Sequence, residues 1–176
     1  LDDRSTDVAE SGAAGISRYL RPHQYDKFSY LFSSLVYKHW EMTVIHGHCE
    51  CKRVTYQADC EISDFSHCHC SICRRLHGAA YGTFAGVKAN KFRYLSGEED
   101  IKIYASSDDH KRVFCGNCGS NIFVSVDGYP DDLYLSMGAV DGNPSHPAAY
   151  HIFVGSKAPW HEITDDFPQY DEFEPD

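Results

Sequence analysis

Residues 67–87 read HCHCSICRRLHGAAYGTFAGV, and three structural signals follow one another along them. Cys68, Cys70 and Cys73 fall in the first of these, too close together to pair as unstrained disulfides and well placed to share a metal ion. Ser71 to Gly78 mixes apolar and basic residues and closes on glycine, which predicts one or two helical turns. Ala79 to Val87 then becomes small, β-branched and aromatic, which predicts a strand.

The same alternation recurs on both sides. RVTYQA (53–58), KFRYL (91–95), IKIYAS (101–106), RVFC (112–115), NIFVSV (121–126), DLYLSMGAV (132–140) and AAYHIFVG (148–155) are short runs of this kind. Gly, Asp, Asn or Pro turns separate them, and GYPDD (128–132) and DGNPSHP (141–147) read as loops. The fold class is therefore mostly β. Upstream the pattern differs: residues 1–41 open polar, and after Pro22 the apolar positions Tyr25, Phe28, Leu31, Phe32, Leu35 and Val36 predict an amphipathic helix. The chain divides into an N-terminal extension (1–41), a metal-binding β domain (42–161) and an acidic tail (162–176).

A chain of 176 residues with 42% hydrophobic and 14% aromatic content can bury one real core, so it reads as one globular domain and not as a disordered segment. The net charge of −10 is uneven: Glu162 to Asp176 carries seven acids and no Lys or Arg, whereas residues 42–161 hold 13 acids against 11 bases. That balance leaves no basic surplus for phosphates and argues against nucleic acid as a partner. No apolar run approaches the roughly 20 residues of a membrane span, and no leader pattern is recognised, so the expectation is a cytoplasmic protein whose thiols stay reduced.

The remaining cysteines sharpen the metal reading. CGNCG (115–119) is a Cys-x-x-Cys turn, which brings two thiolates to one ion. CEC (49–51) supplies a second pair if the backbone turns there. Cys49, Cys51, Cys115 and Cys118 together make a closed four-thiolate site of the structural zinc type. Cys68, Cys70 and Cys73 are then left with an ion of their own. Spacing leaves two readings of that set: an open site with a free position, or a closed one completed by His67, His69, His48 or His77. Cys60 stands alone and reads as a free thiol. Arg74, Arg75, Lys111 and Arg112 lie near the clusters and are candidates for holding a substrate carboxylate. No catalytic serine triad, P-loop or dinucleotide fingerprint is present.

Taken in order, GHCECKRVTY (47–56), residues 67–87, FCGNCGSNIF (114–123) and HIFVGSKAPW (151–160) resemble the glutathione-dependent formaldehyde-activating enzyme and centromere protein V family. The resemblance spans about residues 44–165. It implies a β-tent of small antiparallel sheets pinned by two zinc ions. Cys49, Cys51, Cys115 and Cys118 would be the structural ligands, and Cys68, Cys70 and Cys73 those of an open, catalytic zinc. It also implies a carbon–sulfur lyase that joins glutathione or a similar thiol to formaldehyde, giving S-hydroxymethylglutathione in the named reaction. The competing expectation is a zinc β-tent without catalysis that binds a protein partner.

Overall fold

A computed structural model describes residues 43–174 of the chain. Ten strands and one α-helix lie within them: β1 (Ile45–His48), β2 (Thr55–Ala58), β3 (Asp64–Cys68), α1 (Ser71–His77), β4 (Gly82–Lys88), β5 (Phe92–Ser96), β6 (Ile101–Ala105), β7 (His110–Cys115), β8 (Asn121–Val126), β9 (Asp132–Ser136) and β10 (Tyr150–Ile152). They form a three-stranded sheet in the order β1-β2-β5 and a seven-stranded sheet in the order β10-β3-β4-β9-β8-β7-β6. The amphipathic helix expected after Pro22 lies outside the described residues. Among the described residues, no helix is long and apolar enough to cross a membrane.

The core forms where the two sheets meet. Alternation along β2 turns Tyr56 and Ala58 inward, and Ile45 of β1 joins them. Ala85 and Val87 of β4 and Leu135 of β9 face them from the larger sheet. Each of the larger apolar side chains contributes about 1.5–3 kcal/mol when fully buried. Tyr56 keeps its one polar atom satisfied by donating to the Ala139 carbonyl at 2.8 Å. The opposite face of the larger sheet carries a second, smaller cluster of Cys68, Cys73, Phe84 and Val124. A bulge makes this division workable in β8. Pairing runs Val113 to Phe123 and then Phe114 to Asn121, so Ile122 is an extra residue. It can join the inter-sheet core while Val124, two positions on, joins the other cluster.

Every stretch that alternation marked contains a strand. β1 and β3 escaped because each is short and histidine-bearing, with too few apolar residues to show a period. Two expectations change. The sheets are not both small and antiparallel, since one has seven strands and ends in a parallel pair, β10 on β3. Nor is the acidic segment after residue 161 a tail apart from the domain. His151 N donates to Pro168 O at 2.8 Å, Tyr170 N to His151 O at 2.9 Å and Phe153 N to Glu172 O at 3.0 Å. These bonds lay the segment along the β10 edge and satisfy backbone groups that an open edge would leave unpaired.

Candidate metal centres and the adjoining cavity

Cys49 follows β1 directly, and the chain reverses behind it: Lys52 N donates to Cys49 O at 2.9 Å, and Lys52 takes a left-handed φ of 59°. The reversal brings the Cys49 and Cys51 sulfurs to 3.5 Å, which an extended strand could not do. Cys115 ends β7, and the turn after it is closed by Gly119 N donating to Cys115 O at 2.8 Å. Gly119 has φ 79°, a region that disfavours any residue with a Cβ. Cys51 Sγ then lies 3.8 Å from Cys115 Sγ, and all four sulfurs fall within 4.8 Å of one another. Sulfurs at the corners of a tetrahedron around an ion about 2.3 Å away would be about 3.8 Å apart. Val54 N donates to Cys49 Sγ at 3.3 Å, and the Ser120 hydroxyl sits 3.3 Å from Cys118 Sγ. The hydrogen bond from Ser120, with backbone N–H groups behind it, holds the Cys118 thiol down to about 5. This group could hold one metal ion with no position to spare.

The second group is built by one strand end and one helix start. Cys68 closes β3, Cys70 is the N-cap of α1, and its sulfur accepts from Cys73 N at 3.3 Å. Gly78, at φ 59°, ends the helix after seven residues. Arg74 braces the turn, donating from Nε to His69 O and from Nη2 to Ser156 O, both at 3.2 Å. The sulfurs of Cys68, Cys70 and Cys73 lie within 4.8 Å of one another, and no histidine nitrogen joins them among the described residues. Strand alternation explains part of this, because His67 and Cys68 leave β3 on opposite faces. His67 bonds Thr83 Oγ1 at 3.0 Å, His69 bonds His151 at 2.8 Å, His48 pairs with Asp141 at 3.1 Å, and His77 packs edge-on against Phe84. Three thiols this close cannot all ionise without a cation. Hydrogen bonds from Cys68 and Cys73 hold Cys70 down to about 2, while its bonds to Cys70 and Cys73 and its burial drive Cys68 far above the thiol range.

These three sulfurs sit in the wall of a cavity of about 960 Å³. Of the four basic candidates only Arg112 lines it. Its side chain is buried, with Nη2 donating to Cys73 Sγ at 3.7 Å, Nε donating to Ser106 Oγ at 3.0 Å, and the guanidinium 5.9 Å from the Phe84 ring centre. Lys111, one residue earlier on β7, pairs with Asp127 at 2.5 Å, and Arg75 is exposed. Cys60 lies outside both sulfur groups and packs against the inter-sheet core.

Two features of the site carried no sequence signal. One is an aromatic wall contributed partly by the C-terminal segment: Phe153 lines the cavity and meets Phe173 edge-on at 4.7 Å. Phe153 holds φ 58°, a conformation costing a bulky residue on the order of 1–3 kcal/mol. The other is a hydrogen-bonded chain on the far side of β3 that runs from two buried histidines to an exposed aspartate. His69 bonds His151, which bonds Asp165 at 3.1 Å, so the residue between Cys68 and Cys70 is tied to the C-terminal segment. Both depend on the docking of residues 165–173, which no local pattern announces.

A mostly β fold with two sheets, carrying one four-thiol and one three-thiol group, defines a cysteine-rich protein with two candidate metal centres. The family model described as glutathione-dependent formaldehyde-activating enzyme matches residues 44–156, and the chain belongs to that family. It is 32% identical over 84 residues to an uncharacterized lyase of Schizosaccharomyces pombe, a match covering 48% of this chain and 59% of that protein. The match thus spans less than two thirds of that relative. It is 27% identical over 128 residues to a Halomonas elongata protein provisionally named a glutathione-dependent formaldehyde-activating enzyme, covering 68% of this chain and 81% of that one. A crystal structure of a Rhodobacter sphaeroides protein aligns with a TM-score of 0.48 at 23% identity, over 56% of this chain and 89% of the other.

Proposed function

We propose that the protein is a zinc-dependent carbon–sulfur lyase that joins and separates a thiol and a small aldehyde. The observation that carries this reading is the three-sulfur group facing a cavity large enough for a substrate. Family membership and the names of the relatives point the same way. The donor sets fit zinc, being soft thiolates at near-tetrahedral separations. Cys49, Cys51, Cys115 and Cys118 would hold a structural ion. Cys68, Cys70 and Cys73 would hold a second, whose bound form supplies an open position and lowers the pKa of a thiol placed there.

The chain's own residues do the rest. In the reaction the thiol sulfur bonds to the carbonyl carbon, the carbonyl π pair moves to oxygen, and the thiol proton ends on that oxygen. The reverse breaks the same bond. Three thiolates around a divalent ion leave a net charge of minus one, and the Arg112 guanidinium beside Cys73 Sγ offsets it. A centre with that electron-rich donor set polarises a carbonyl weakly, so placing the two reactants together in the cavity is the main contribution. Exchange NMR of formaldehyde with glutathione and with a small neutral thiol tests this. Faster adduct exchange with protein present, lost in Cys70→Ser, supports the reading; no acceleration with either thiol at stoichiometric protein rejects it.

A further inference from the structure

The cavity walls carry chemistry beyond the three sulfurs. Six aromatic side chains line it, those of Phe84, Tyr129, Tyr134, Tyr150, Phe153 and Phe173. Three carboxylates line it as well, Asp64, Asp109 and Glu174. Against them stands one guanidinium, and Arg112 already spends Nη2 on Cys73 Sγ and Nε on Ser106 Oγ. His110, the other basic side chain in the lining, is paired with Asp109 at 2.7 Å. Tyr150 donates its hydroxyl to Asp64, which orders that carboxylate in the cavity wall.

Glutathione brings two carboxylates and one ammonium. Burying a carboxylate without a cation or several N–H donors is strongly unfavourable, and recognition of such groups normally uses free arginine forks. Among the described residues Arg112, the one guanidinium in the lining, has only Nη1 without a hydrogen-bond partner, and the three carboxylates of the lining would repel the ligand's own. An aromatic body, by contrast, meets ring faces and edges on several sides. Phe153 is held in its left-handed conformation by backbone bonds on both sides, from Phe153 N to Glu172 O and from Ser156 N to Phe153 O, which keeps its ring against Phe173. Strain maintained at a cavity wall is where a positioned side chain is expected.

Resting on the reading of the three-sulfur centre as thiol-handling, we propose that this cavity selects thiols with an apolar, aromatic body and no net negative charge, in preference to glutathione. The test titrates the metal-loaded protein with phenylethanethiol, its para-carboxylate and glutathione. Affinity is read by ligand-observed NMR, and adduct exchange with formaldehyde is followed alongside. Phenylethanethiol binds about tenfold more tightly than either carboxylate-bearing thiol. Phe153→Gly, which the φ of 58° accommodates, keeps the folded circular dichroism and the metal content but reduces that preference several-fold. Glu174→Lys strengthens binding of the para-carboxylate. Glutathione or the para-carboxylate binding as tightly as phenylethanethiol overturns the inference and leaves the thiol-handling reading standing. If no thiol binds, both fall together.

Discussion

The two sulfur groups are made of the same side chain and are built in opposite ways. Cys51 and Cys115, 64 residues apart, meet across the first group, so an ion there closes a long loop between β1 and β7. The second group takes all its sulfurs from Cys68 to Cys73, at the end of one strand and the start of one short helix. Closing the longer loop costs the unassisted chain about 2 kcal/mol more, since that entropy grows with the logarithm of loop length. Metal bound at the first group would therefore contribute to folding. Metal bound at the second would add little to the global fold and would face a cavity, where an external ligand could reach it.

Mutating one sulfur in each group breaks this contrast most sharply. Cys115→Ser leaves three thiols where four are needed, and structural zinc of this kind supplies on the order of 10–16 kcal/mol. The expected outcome is a chain without the cooperative thermal transition of the wild type, seen by circular dichroism. Cys70→Ser should instead return one zinc per chain by metal analysis, down from two, with a cooperative transition retained and the acceleration of thiol adduct exchange abolished. A Cys70→Ser protein that fails to fold, or that keeps both ions, erases the distinction between the groups.

A smaller effect sharpens the account of charge. Arg112→Met removes the guanidinium beside Cys73 Sγ while keeping apolar bulk against Phe84. Loss of a partner behind a metal ligand costs about 10–100-fold in affinity. Competition with a chelator should show that weakening at the three-sulfur group alone, leaving the four-sulfur group untouched. The smallest expected effect concerns acid. Burial lowers the His77 pKa from its ordinary 6.5, with Arg112 adding to the shift. A depressed histidine pKa means the unfolded chain takes up the proton first. The stabilisation is thus complete above about pH 6.5 and declines as pH falls through the folded value. His77→Asn should flatten the acid side of the stability profile below that pH, measured by denaturant unfolding at a series of pH values.

The sulfur groups were legible in the sequence because their spacing is local: Cys-x-x-Cys and Cys-x-Cys turns announce themselves within a few residues. Most strands were legible for the same reason, each carrying its own alternation. What escaped is what only register and long-range pairing decide. Nothing in the four basic candidates distinguishes Arg112 from Lys111, yet adjacent positions on β7 send one into the cavity and the other to Asp127. The histidines of HCHC are a like case, since only the pairing of β3 shows His67 and Cys68 on opposite faces of the sheet. The acidic run after residue 161 looked like a solvated tail because its acids dominate its composition. Its backbone bonds to β10 involve no side-chain type at all.

The central claim, that one sulfur group is closed and the other open to a substrate thiol, is met most directly by zinc-edge X-ray absorption of the two-zinc protein. Seven protein sulfurs shared by two ions give an average of about 3.5 sulfurs per zinc. Addition of a thiol should raise that average toward four, and Cys70→Ser should abolish the response. A spectrum already at four sulfurs, or one showing an imidazole ligand that no thiol displaces, would contradict it.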